Sequence, residues 1–288
     1  MTGTPQIRIA AFLALTVAFS AVWFLLIVGQ FGIPHSVLAT GAMWSPGLAA
    51  ICVRLWFQRN LDGTGWKSPP IDWLAIGLAL PLTYGVLIHG LAWAAGAGPL
   101  PDEWIGQIPY GVTADNAGVA LALLLTLGVV DRFFRALGEE IGWRGLLLPE
   151  MIKLVGFRKA AVASSVVWAG WHLPLIVPFL LSQTNPPPAF SLACFATTLV
   201  SAGVVISWVK IKSQSLWPCV MIHGAHNLFV LAILDAATSK QGWGAWLLGE
   251  FGAGMAIMAA IGAALVLLRT RDVDAASSYS TTAIRKPS

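Results

Sequence analysis

The chain has 288 residues, of which 57% are apolar and only 10% charged, with 17 Lys and Arg against 13 Asp and Glu. With a mean hydropathy of +0.76, this excludes an ordinary soluble domain, and the scattered basic residues form no aromatic-interleaved patch for nucleic acid. The expected fold class is all-α: a polytopic membrane helix bundle of about eight transmembrane helices.

Eight apolar runs are long enough to cross a hydrocarbon core of about 30 Å, at approximately 9–28, 36–57, 72–95, 117–138, 160–181, 189–209, 214–235 and 246–268. The first run is too long for a signal-peptide core and is followed by further spans, so it reads as a transmembrane helix. Turn residues or charge separate the runs, notably at 59–70, 96–116, 149–159 and Pro186 to Pro188. Residues 1–270 read as one membrane-embedded bundle, and 271–288 as a polar tail expected to be disordered. With the N-terminus in the cytoplasm, sixteen of the 17 Lys and Arg fall on the cytoplasmic side, and only Lys240 falls opposite. That asymmetry predicts cytoplasmic N- and C-termini in a multi-pass protein of the cell membrane.

Charge is rare enough for Glu139, Glu140 and Arg144 to stand out at the end of the fourth run. Glu140 and Arg144 are four apart and share a helix face, with the carboxylate N-terminal to the cation. Glu139 is rotated about 100° away. One carboxylate would then be tied to Arg144 and the other left free as a base. The same spacing fits a snorkelling cluster beside Arg132 and Arg135 at a cytoplasmic loop edge. His172 lies about 18 Å into the fifth span at 1.5 Å per residue, and His223 enters its own span from the same side to a similar depth. Asn227 follows His223 by one turn on the same face. These residues can be packing groups bonded across the bundle. They also compose a general base, a partner that orients it and oxyanion donors, the set that peptide hydrolysis requires.

Other candidates are weaker. His226 lies partly on the His223 face, but a lone His-x-x-His is a poor metal signal. Cys219 is one turn before His223, where a small apolar role is the simpler reading than a nucleophile. Cys52, Cys194 and Cys219 all lie in apolar runs and form neither a disulfide framework nor a cysteine zinc site. Trp168 and Trp171 read as cavity lining, and Pro174 and Pro178 as kinks just past His172. His35 and His89 stand alone and receive no role.

The order Glu-Glu-x-x-x-Arg, aromatic-x-x-x-His, His-x-x-x-Asn resembles the CPBP family of intramembrane proteases. This family, also called Abi or CAAX-protease and bacteriocin-processing, includes the type II CAAX prenyl endopeptidases. Glu139, Glu140 and Arg144 match the first motif, Trp168 and His172 the second, and His223 and Asn227 the third; together they mark a core at about 117–236. The family usually has Phe where this chain has Trp168, an exchange expected to change cavity width more than chemistry.

By this resemblance Glu139 and His172 would activate water. His223 and Asn227 would polarise the scissile carbonyl and stabilise the oxyanion, while Glu140 and Arg144 hold the local structure. The implied substrate is a membrane-anchored or lipidated (CAAX-like) protein or peptide in the bilayer, with no nucleic acid partner. Either no cofactor is required, or a divalent metal such as zinc is held by Glu139, His172 and His223. Two other readings use the same residues: a non-proteolytic scaffold or bacteriocin-immunity protein, and a proton-coupled transporter, which the lack of an internal repeat disfavours. The four catalytic candidates are expected to meet in one polar cavity on the cytoplasmic half, with a carboxylate reaching His172 directly or through one water.

Overall fold

The computed structural model describes residues 3–29, 32–33, 35–98, 108–240 and 242–270, and all regular structure within them is helical. The polar tail expected at 271–288 lies outside the described residues. The long helices are α1 (Pro5–Val28), α2 (His35–Phe57) and α3 (Ile71–Ala94). A continuous helical stretch comes next, made of α4 (Ala117–Leu123), α5 (Val129–Gly142) and α6 (Leu148–Leu181), joined by π turns at Leu124–Gly128 and Trp143–Leu147. Then come α7 (Pro188–Ser213), α8 (Trp217–Ala225) continued by a π stretch His226–Asp235, a short α9 (Gly244–Leu247) and α10 (Ala253–Arg269). Six helical stretches among the described residues are long and apolar enough to span a membrane. One of them, Ala117–Leu181, has 65 residues, well beyond what a single bilayer crossing needs. Together with α10, whose 17 residues sit at the short end of spanning length, this makes an integral, multi-pass helix bundle.

The long stretch folds back on itself. Gly156 has φ 76° and ψ 173°, the one non-helical residue inside α6, in a region of backbone space that glycine alone enters without strain. Beyond it Trp168 returns to bond Glu139, 29 residues earlier in the chain, so the chain reverses at Gly156. The separator expected over 149–159 is therefore helical except at this one residue. Pro174 and Pro178 do not interrupt α6. The last span starts later than expected, at Ala253 rather than 246, because Leu248 and Gly252 are extended and divide α9 from α10.

One end of the bundle gathers the basic residues. Arg8 pairs with Glu150 at 3.2 Å; Arg54 donates to the carbonyls of Asp62 and Gly145; Lys210 Nζ donates to Thr64 O at 2.9 Å. These contacts bring together the start of α1, the ends of α2 and α7, the 58–67 loop and the approach to Gly156. Arg132 and Arg135 do not belong there, contrary to the sequence expectation. Helices α2 and α5 run side by side in one direction, with Trp44 Nε1 donating to Phe134 O and Arg54 donating to Gly145 O. Arg132 and Arg135 therefore lie toward the opposite end, where Arg135 Nη2 meets the buried Asp131 at 2.7 Å.

Helix α5 is central, packed against α2 on one side and α8 on the other. Its approach to α2 needs an absent side chain at Gly138, where a Cβ would lie 2.8 Å from the Trp44 ring and 2.9 Å from Met43 O. Backbone cannot yield as a flexible side chain can, and overpacking of this kind costs about 1–3 kcal/mol. Gly138→Ala is therefore expected to lower thermal stability in detergent, and to reduce any activity that depends on Glu139 beside it; an unchanged melting temperature would refute this packing.

Candidate active site

Glu139 and Glu140 occupy the last turn of α5 and are 1% and 0% exposed. Carboxylates so far from water need hydrogen bonds or a counter-charge, and the two neighbours obtain them differently. Glu140 Oε1 accepts from Arg144 Nη1 at 2.8 Å, one turn along the helix, and from His223 Nδ1 at 2.9 Å across the bundle. Glu139 Oε2 accepts from two neutral donors instead: the indole N–H of Trp168 at 2.6 Å and that of Trp143 at 3.3 Å. The rotation of about 100° between successive helical residues is what sends the two side chains into separate networks.

The interfacial snorkelling cluster that the spacing also allowed is thus overturned. Arg144 is 2% exposed, with its guanidinium carbon 4.4 Å from the centre of the Trp168 ring. The expected Glu140–Arg144 pair is present, and Glu139 takes no part in it: its Oε2 accepts from two indoles instead. Trp168 is more than cavity lining. It fills the wall with its ring and donates to a carboxylate with its nitrogen, a bond that a phenyl ring at this position could not make.

His172 lies in α6 one turn after Trp168. Its Nδ1 donates to the Trp168 carbonyl at 2.9 Å, since a carbonyl can only accept. In the neutral ring this leaves the Nε2 lone pair available. Trp171, Trp168 and Phe195 surround the imidazole edge-on, with centroids at 4.8, 5.8 and 5.8 Å. His223 lies near the end of α8. Its Nδ1 likewise carries the proton it gives to Glu140, so Nε2 is again the uncommitted nitrogen. Glu139, Trp168, His172, His223 and Asn227 all line one cavity of about 380 Å³ whose other walls are mainly apolar, including Leu80, Leu175, Ile176, Leu199 and Met258.

Of the two forms in which a carboxylate is expected to reach His172, the direct bond is not made among the described residues. The hydrogen bond between carboxylate and imidazole joins Glu140 to His223, whereas His172 uses its Nδ1 on the backbone. Glu140 therefore does more than hold Arg144: it fixes which face of His223 is presented. Sequence spacing conceals this because the two residues are 83 positions apart. Trp143 also escapes a reading of the sequence, although its place four residues after Glu139 is the available signal.

Glu139, His172 and His223 are the residues that could take a metal, and their atoms are ones that zinc accepts. Among the described residues, however, no three His, Cys, Asp or Glu side chains are grouped as a ligand set, and Glu139 Oε2 is already held by the two indoles. His226 also faces the cavity, with Nδ1 2.6 Å from Tyr84 Oη and Nε2 3.6 Å from Glu250. Cys219 is fully buried and directs Sγ at the Ile206 carbonyl at 3.6 Å; His223 makes its bond to Glu140 and not to this thiol. His35 lines the cavity. His89 is not alone: Nε2 meets Asp235 Oδ1 at 3.0 Å, and Asp235 also binds Lys240 at 2.7 Å.

The Glu140–Arg144 pair carries a stability prediction. Removing one member of a buried ion pair leaves the other charge uncompensated, at a cost of about 3–5 kcal/mol. Arg144→Met should therefore lower the unfolding temperature in detergent more than Arg144→Met combined with Glu140→Gln. Equal losses in the two proteins would show that the pair is not what stabilises this turn.

Residues 119–229 match the family model described as Type II CAAX prenyl endopeptidase Rce1-like. A curated relative, CAAX prenyl protease 2 of Methanococcus maripaludis, is 28% identical over 94 residues, which cover 31% of this chain and 34% of the relative. The aligned part thus spans about a third of that relative's length. The matched stretch contains all three motifs and every side chain in the Glu139 and Glu140 networks, so the similarity to the Rce1-like type II CAAX prenyl endopeptidases falls on the part of the chain that builds this site.

Proposed function

We propose that the chain is an intramembrane endopeptidase that hydrolyses a peptide bond of a membrane-anchored or lipidated, CAAX-like substrate. The observation that carries the reading is the shared cavity. Glu139, Asn227 and two imidazoles with Nε2 uncommitted, those of His172 and His223, line a space that also holds His35, Tyr84, His226 and Glu250 and whose remaining walls are mainly apolar. Such walls suit a lipid-bearing or membrane-embedded segment, and the polar side chains suit the bond to be cut. The family description of residues 119–229 supports the same chemistry.

In this mechanism a water is held between Glu139 and His172. As its oxygen bonds to the scissile carbonyl carbon, its proton passes to the Glu139 carboxylate, with His172 Nε2 accepting a hydrogen bond from the same water. The carbonyl oxygen becomes an oxyanion, stabilised by N–H donation from the Asn227 amide and from His223 Nε2 when that ring is doubly protonated. The Glu140 carboxylate supplies the counter-charge to that ring. Collapse of the tetrahedral adduct breaks the C–N bond, and the leaving amine takes the proton from Glu139. Water has then been added across the amide, and the site returns to its starting state. With Arg132 and Arg135 set aside as partners of the buried Asp131, the remaining Lys and Arg asymmetry supports an orientation in the cell membrane with both termini cytoplasmic.

The test compares cleavage of a membrane-anchored reporter by three variants at equal folded amounts. Glu139→Gln keeps shape and hydrogen bonding but cannot take the proton, so turnover should nearly vanish. Asn227→Ala should cost about 10²- to 10³-fold, as for loss of one oxyanion donor. Cys219→Ala should match wild type. Activity retained in Glu139→Gln and lost in Cys219→Ala would replace this mechanism with a thiol one, and substrate binding without cleavage by wild type would point to a scaffold. Cleavage that survives a chelator supports the metal-free route, whereas loss reversed by added zinc assigns a metal to Glu139, His172 and His223.

A further inference from the structure

We infer that Trp168 is a positioning residue for Glu139: its indole N–H, assisted by that of Trp143, holds Oε2 so that Oε1 is presented to the reacting water. The inference rests on the hydrolytic reading and adds to it the part that sets the base. Both indole bonds converge on one oxygen, at 2.6 and 3.3 Å, so neither is made to the other. Two donors on one oxygen fix the plane of a carboxylate that would otherwise rotate freely about its last bond.

The donors are themselves immobile. Trp168 and Trp143 are 6% and 1% exposed. The Trp168 ring lies under the Arg144 guanidinium, 4.4 Å from the ring centre, and meets the rings of His223 and His172 edge-on at 5.6 and 5.8 Å. Trp143 is braced by Phe12 and Trp171, at centroid distances of 5.6 and 5.9 Å. A rigid neutral donor suits this task better than a cation. Arg144 and His223 bind Glu140 through groups able to carry charge, which makes that carboxylate a structural counter-ion. The indoles bond Glu139 without bringing a formal charge to it. A phenyl ring at position 168 would fill the same space and offer no donor.

The decisive experiment replaces Trp168 with β-(3-benzothienyl)alanine, which keeps the size and shape of tryptophan but has sulfur in place of the N–H, and compares it with Trp168→Phe and Trp143→Phe in the full-length protein. For the isostere and for Trp168→Phe, kcat should fall about 10- to 100-fold, the worth of one hydrogen bond to a charged group, with KM little changed. Trp143→Phe, which loses the longer bond, should cost less. A wild-type kcat in the isostere overturns the inference. So does a change confined to KM, which would make Trp168 part of the substrate wall only. A readout independent of turnover is the indole ¹⁵N–H resonance of Trp168, which should move on Glu139→Gln; if it does not, the contact and the inference both fail. If that resonance moves but the wild-type protein cleaves nothing, the hydrolytic reading fails and the contact is structural.

Discussion

The constraint on which the rest of the structure depends is the burial of two adjacent carboxylates within a membrane helix. Neither can be left unsatisfied there, and one helix cannot supply enough partners for both. Arg144 and Trp143 come from the next turn, but His223 must come from α8 and Trp168 from α6. The reversal at Gly156, which returns α6 to the side of α5, is therefore part of the site as well as of the fold. So is the glycine contact with α2, which lets α5 lie deep enough for α8 to reach Glu140. Breaking any of these packings would expose or strand a charge, so local fold and site cannot fail separately.

The two carboxylates also show how identical side chains acquire different chemistry. Desolvation acts on both, since both are buried almost completely. The difference lies in what faces them. Glu140 meets a guanidinium and an imidazole, and its charge is committed to holding those groups. Glu139 meets two indoles, which bond a carboxylate without neutralising it. A third arrangement is present toward the other end of α5, where the buried Asp131 pairs with Arg135. Among these three acids, only Glu139 combines a cavity surface with neutral donors.

Much of this is legible in the sequence, and what escapes it has identifiable reasons. The helix class and the approximate spans come from hydropathy, because a bilayer-crossing helix must be apolar along its whole length. Glu139, His172, His223 and Asn227 are singled out because polar residues in such helices stand out against their surroundings, and the structure places all four on one cavity. The positions of Arg132 and Arg135 are misjudged because a charge count assumes that basic residues mark the nearer loop, whereas these have a buried acid partner. Helix ends fail where backbone freedom outweighs hydropathy: at Gly156, which reverses a helix, and at 248–252, where a turn between extended Leu248 and Gly252 interrupts an apolar run. Contacts between distant residues, such as Glu140 with His223 and Tyr84 with His226, leave no mark on local spacing. Trp168 is underestimated because tryptophan in a membrane helix reads as bulk, and its single donor matters only when a carboxylate lies within reach.

The placing of the π turns gives the last connection between backbone and chemistry. One begins at Trp143, directly after the helix bearing Glu139 and Glu140, and another at His226, directly after the helix that carries His223 near its end. A π turn admits an extra residue and widens the helix, which shifts the register of the residues beyond the turn relative to those before it. After His223 this lets three nearby side chains do different work. His223 turns to Glu140 on α5, His226 to Tyr84 on α3, and Asn227 faces the cavity between them. After Glu140 the wider turn still brings Trp143 and Arg144 over Glu139 and Glu140 respectively, so each carboxylate receives its own partner four residues on. A regular α-helix would align such residues in stripes along a single face. The irregular turns distribute them around the α5–α8 contact, so that a few polar groups within one turn of each other serve both the burial of Glu140 and the exposure of Glu139 to the cavity.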